Sequence, residues 1–234
     1  MTTINSIMSY ASRHSTMTAG DLASAYKISP TTARQHLSRL AAAGDLVRVG
    51  YGTYALPSEK EQFPLDVSDN VKSVYNALNA EFPFADFCVY SGDIYEPLQH
   101  HLSINHAIYV ETNRDTVDSV FSILKETHKN VYKQPDADFM NDYVDLKSDC
   151  IIVKPLVTEA PLQFIDRVPS PTLEKLLVDI LKDSDLDYLR GMEFSYMIET
   201  ALSQYQLSIT KLLRYARRRN VQKQIQTIID KYNN

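Results

Sequence analysis

Between Thr18 and Leu56 the sequence is punctuated so tightly that few folds remain open to it. Thr18 is placed to cap a helix, and Asp21 follows where a carboxylate suits the positive helix end. Leu22 and Tyr26 share one face of that helix. Ser29 is a second N-cap, and Pro30 fits the first helical position, where its missing N–H costs nothing. Ala33, Leu37, Leu40 and Ala41 then form an apolar stripe, and Gly44 supplies the stop. Leu46–Val49 and Thr53–Leu56 are β-prone runs around Gly50-Tyr51-Gly52, which predicts a hairpin. An earlier helix is expected over Ile4–Ser12, from the stripe Ile4, Ile7, Met8 and Ala11. Helix, helix, turn, helix, hairpin is the order of a winged helix-turn-helix.

The polar face of the helix after Pro30 carries Thr31, Thr32, Arg34, Gln35, Ser38 and Arg39. Short hydroxyls, an amide and forked guanidinium groups suit phosphates and base edges in a DNA major groove. Arg48 and Tyr51 are expected near the tip of the wing. Charge is distributed in keeping with this. Residues 1–57 sum to +3, residues 58–210 to −14 and residues 211–234 to +6, which together give the net −5. Affinity for DNA comes from local positive charge, so an acidic total does not exclude it. The second basic surface is Lys211, Arg214, Arg217, Arg218 and Arg219, suited to phosphates or to an acidic partner.

The 234 residues suffice for two domains. Residues 1–57 form the DNA-binding domain and 58–69, with two prolines and many charges, a linker. Residues 70–234 are expected to form an α/β domain. Helices are predicted over 70–82 and 115–125, and strands over 87–90, 107–110, 130–133 and 150–153. From Thr172 onward the chain reads as helical, with Pro169 and Pro171 punctuating the start. The fold class is therefore α+β, a winged helix followed by an α/β domain with a helical end.

Chemistry is sparse. There is no P-loop, dinucleotide fingerprint or GxSxG elbow, and 6 glycines leave little for phosphate-cradling loops. His100, His101 and His106 with Cys88 match no zinc spacing. Pro135-Asp136 followed by Asp145-Leu146-Lys147 echoes the PD…(D/E)xK pattern of metal-dependent nucleases, which makes Asp136, Asp145 and Lys147 an alternative catalytic set. The expectation is nevertheless no enzyme, no cofactor and no metal. Cys88 and Cys150 fit a reducing compartment. No apolar run spans a membrane, and Met1-Thr2-Thr3-Ile4 lacks the layout of a signal peptide, so a cytoplasmic protein is expected.

The run Arg48-Val49-Gly50-Tyr51-Gly52-Thr53-Tyr54-Ala55-Leu56 and the segment Val168-Pro169-Ser170-Pro171-Thr172-Leu173-Glu174-Lys175-Leu176-Leu177-Val178-Asp179 are similar to those of a known family. The chain resembles the AbiEi-type antitoxins of bacterial type IV toxin–antitoxin (abortive infection) systems. That resemblance implies an autorepressor whose winged helix binds its own promoter. It implies a second domain that counters a nucleotidyltransferase-like toxin, and no catalysis by the antitoxin. Two copies on an inverted repeat of double-stranded operator DNA are expected, because operator symmetry mirrors protein symmetry. The alternative to the antitoxin role, besides the nuclease, is a repressor that senses a ligand in its α/β domain.

Overall fold

The computed structural model describes residues 4–57, 60–101 and 104–232. It divides into one unit over Met1–Glu61 and a second over Gln62–Asn234. Met1–Thr3, part of the N-terminal expectation, and Ser58 and Glu59 of the expected linker lie outside the described residues.

The first unit contains α1 (Ile4–Ala11), β1 (Met17–Thr18), α2 (Ala19–Tyr26), α3 (Pro30–Ala43), β2 (Val47–Gly50) and β3 (Thr53–Ala55). Thr18 and Asp21 close a reciprocal capping box. The Thr18 hydroxyl accepts from the Asp21 N–H at 3.3 Å, and the Asp21 carboxylate accepts from the Thr18 N–H at 2.7 Å. Ser29 accepts from the Thr32 N–H at 3.0 Å, Pro30 opens α3, and Gly44 ends it at φ 84°, a left-handed conformation that suits glycine. Ile7, Met17, Leu22, Ala33, Leu37 and Leu46 meet in one core. The hairpin β2–β3 gains a third strand that the sequence did not announce: β1 pairs with β3, giving the order β1-β3-β2. The unit is a winged helix-turn-helix.

The second unit is built on a four-stranded sheet of β4 (Phe87–Ser91), β5 (Ile108–Thr112), β6 (Val131–Lys133) and β7 (Ile151–Pro155), in the order β4-β5-β7-β6. β5, β7 and β6 run parallel and β4 antiparallel. Alternation along the strands separates two cores. Phe87, Val89, Val110, Ile151 and Val153 pack with α4 (Asp69–Glu81) and α5 (Val117–Thr127). Cys88, Tyr90, Tyr109 and Ile152 face the opposite way, into a helical layer. That layer holds α7 (Leu173–Ile180), α8 (Met192–Gln204), α9 (Ile209–Arg218) and α10 (Gln222–Tyr232), while α6 (Ala137–Tyr143) is a short helix before β7. Every residue of α7 is buried, including its charged ones.

Three features depart from the sequence reading. The expected linker is largely part of the second unit, because Phe63 and Val67 are buried there and the Phe63 ring stands 5.1 Å from Tyr205. Pro169 and Pro171 do not merely precede a helix. They lie in β9 (Val168–Pro171), which pairs with β8 (Leu162–Ile165). Two short 3-10 segments, Gly92–Leu98 and Ser184–Leu189, also connect the elements.

Candidate nucleic-acid interface

The apolar stripe of α3 fixes the helix on its core and turns the other face to solvent. Thr31, Arg34, Gln35, Ser38 and Arg39 follow the spacing i, i+3, i+4, i+7, i+8, and all five are exposed. Together they line a shallow concavity of about 420 Å³. Among the described residues neither Arg34 nor Arg39 takes part in an ion pair, so both guanidinium groups are free to meet phosphate or base. Thr32 differs from its expected role. It is half-buried, and its hydroxyl is bonded to Ser29 at 2.8 Å, where it supports the helix cap.

In the wing, Tyr51 occupies the turn fully exposed, followed by Gly52 at φ 68°. Arg48 lies back from the tip, opposite Tyr54 in the register, with its guanidinium 5.7 Å from that ring. A cation–π contact of this kind orients the side chain without neutralising it.

The second basic surface keeps four of its five members. Lys211, Arg214, Arg217 and Arg218 are exposed on α9, and Arg218 donates to the Thr158 hydroxyl at 2.9 and 2.5 Å. Arg219 is removed from it. Its guanidinium turns inward, bonds Asp183 and lies 3.5 Å from Asp179. Charge density along a sequence does not register burial, and here burial divides neighbours.

Arg219 belongs to a buried ionic network that the sequence did not announce. Lys175 bridges Glu111 at 2.7 Å and Asp179 at 2.6 Å. Lys154 bridges Asp183 at 2.8 Å and Asp185 at 2.7 Å. Tyr90 donates to Glu111 and Tyr215 to Asp179. Strand alternation explains the meeting, since Glu111 and Lys154 are register partners on β5 and β7 and face the layer containing α7. Burial works against the ammonium of Lys175, but Asp179 and Glu111 outweigh it and hold its pKa well above the ordinary value. Burial pushes the Asp179 carboxyl up to about 6, against the pull of Lys175. Asp183 is also opposed by burial, yet Lys154 and Arg219 hold it down at about 2.

In the alternative nuclease set both carboxylates are engaged with nearby backbone. Asp136 caps α6 by accepting from the Phe139 N–H at 2.8 Å, and Asp145 accepts from the Lys147 N–H at 3.0 Å. The described residues contain no group of three or more His, Cys, Asp or Glu side chains arranged to hold a metal ion. His100 and His101 are exposed, their backbone N–H groups directed at Glu193, while Cys88 is fully buried. No helix among the described residues is long and apolar enough to cross a membrane.

Residues 5–57 match the model of the family described as "Transcriptional regulator, AbiEi antitoxin", and residues 32–234 match that of a "Family of unknown function (DUF6577)". The two matches share most of α3 and the wing. No curated protein matches the chain. The chain thus belongs to the DUF6577 family of unknown function, and its first unit matches the AbiEi antitoxin transcriptional regulators.

Proposed function

We propose that this regulator represses its own type IV toxin–antitoxin operon and counters a nucleotidyltransferase-like toxin through its second unit. Two copies bind an inverted repeat in the promoter. α3 enters the major groove, with Thr31, Gln35, Ser38 and Arg39 at base edges and Arg34 on phosphate. Arg48 and Tyr51 of the wing contact the adjoining backbone, and Thr32 acts indirectly by fixing the start of α3. Lys211, Arg214, Arg217 and Arg218 form a separate anion-binding surface.

The observation that carries this reading is the exposed stripe of five polar side chains on a capped helix, two of them arginines without ion-pair partners among the described residues. A mobility-shift titration of the full chain against the DNA upstream of its own gene tests it. Specific retardation that weakens steeply with salt is expected. Equal affinity for that DNA and for unrelated duplex would remove the operator from the reading. The antitoxin part is tested by co-expression with the adjacent reading frame, where growth arrest by that frame alone and rescue by this chain are expected.

A further inference from the structure

A groove of about 500 Å³ opens in the second unit beside the carboxyl ends of the parallel strands β5 and β7. Open α/β sheets place ligands at such strand ends, and the size lies within the range of small-molecule sites. Its walls come from separate elements: Tyr75 of α4 and Phe164 of β8 supply aromatic surface, and the buried Phe87 of β4 also lines it. Phe164 is 74% exposed. An aromatic ring left in water beside a concavity offers a stacking surface with no occupant from this chain's described residues.

The polar groups on the groove are hydrogen-bond acceptors or amides. The Asp86 carboxylate accepts from the Asn113 side-chain amide at 3.1 Å, and the Asn113 carbonyl accepts from the Asp86 N–H at 2.7 Å. This mutual clasp fixes both side chains at the wall. Glu159 adds a second carboxylate, held on backbone at φ 64°. Such groups accept from amino and imino N–H donors on the edge of a flat heterocycle. At the same wall Thr158 receives Arg218, the terminal residue of α9. From there Arg214 and Lys211 continue along one face of that helix, at i−4 and i−7, for about 10 Å.

We infer that this groove and the adjoining face of α9 form a nucleotide-binding site. A base stacks on Phe164 and Tyr75, its donor edge meets Asp86 and Glu159, and its phosphates meet Arg218 and Arg214. Aromatic stacking beside a track of cations is the combination by which single-stranded nucleic acid is held, whereas the duplex-reading face of α3 has no such rings. The inference is independent of the operator reading. It concerns another surface and a ligand with unpaired bases.

The test is an NMR titration of the full chain with AMP, a six-residue oligoadenylate RNA and inorganic phosphate. Shifts confined to the Asn113 side-chain amide, Thr158 and the arginines of α9 are expected. F164A and R218A should each weaken binding at least fivefold, while R39A leaves it unchanged. Phe164 and Arg218 are exposed, and an unaltered amide spectrum verifies that each variant is folded. Saturation by AMP identifies a free nucleotide as the ligand. Saturation by the oligonucleotide alone identifies the end or a loop of a strand, and both results support the site. Phosphate binding as tightly as AMP, or no groove shift at millimolar AMP and oligonucleotide, overturns it.

Discussion

The Lys175 ammonium lies 2.6 Å from the Asp179 carboxylate one turn further along α7, and both side chains are almost wholly buried. Lys175 also carries Glu111, so this one cation pairs with two carboxylates in the interior, and Arg219 at 3.5 Å adds a second cation at Asp179. Removing Lys175 leaves Glu111 with no ion-pair partner among the described residues and Asp179 with Arg219 alone. K175M is expected to destabilise the second unit by about 3–5 kcal/mol, the usual penalty for breaking a buried ion pair from one side. Urea denaturation followed by tyrosine fluorescence measures this. A loss under about 1 kcal/mol would show that water reaches the network.

The same network predicts opposite pH responses for two of its acids. Asp179 titrates at about 6 in the folded chain against an ordinary 3.8, so unfolding releases its proton between those values. Its contribution is full below 3.8 and is lost as pH rises through 6. Asp183 is lowered from 3.8 to about 2, so its contribution is full above 3.8 and is lost as pH falls through 2. In stability curves at a series of pH values, wild type should lose ground against D179N as pH rises through the upper window. Against D183N it should lose ground as pH falls through the lower one. Parallel curves throughout would contradict the assignment.

Arg39 is exposed on α3 with no ion pair among the described residues, so its loss should not touch the fold. R39A is expected to cost about 1–3 kcal/mol of operator affinity if it reads a base, with no change in melting temperature. Mobility-shift titration beside a thermal melt separates the two effects. Undiminished affinity would take Arg39 out of the interface.

Thr18 joins the start of α2 to the small sheet, since it belongs to β1 and also caps the helix. T18A removes the hydroxyl half of the capping box, the acceptor of the Asp21 N–H, and should cost the first unit about 1 kcal/mol. Hydrogen exchange at the Asp21 amide would report it directly, and unchanged protection there would contradict the cap.

Gly92 faces Asn105 so closely that a Cβ would stand 2.2 Å from that side chain. Asn105 is buried and donates to Tyr109 at 2.9 Å and Tyr188 at 2.6 Å. G92A should therefore destabilise the second unit by about 1–3 kcal/mol through overpacking. A neutral effect on the denaturation midpoint would mean that Asn105 can move away freely.

The parts legible in the sequence were those written locally. Ser29, Pro30 and Gly44 fixed α3 because each acts on backbone within a few residues of itself. The exposed polar face of α3 followed from the apolar stripe opposite it. The β8–β9 hairpin was hidden for a physical reason. Its turn residues Asp166 and Arg167 hold positive φ without glycine, and two prolines in β9 read as breakers. The ionic network was hidden because its partners are distant, with Glu111 and Lys175 separated by 64 residues. Arg219 looked like the last member of a basic run, and only the packing of α9 on α7 distinguishes it from Arg218.

The placement of Tyr215 and Arg219 has a consequence for how the molecule is made. α7 is enclosed on every side, and two of the groups that compensate its Asp179 come from α9 and the residue that follows it, synthesised well after α7. The winged helix builds its core from its own residues and can fold while the ribosome is still at work. The second unit must wait, its sheet face and α7 unsatisfied, until α9 has emerged. A transcript or nascent chain interrupted before that point would yield a winged-helix fragment with no completed partner unit, separating the proposed repression from whatever the second unit does.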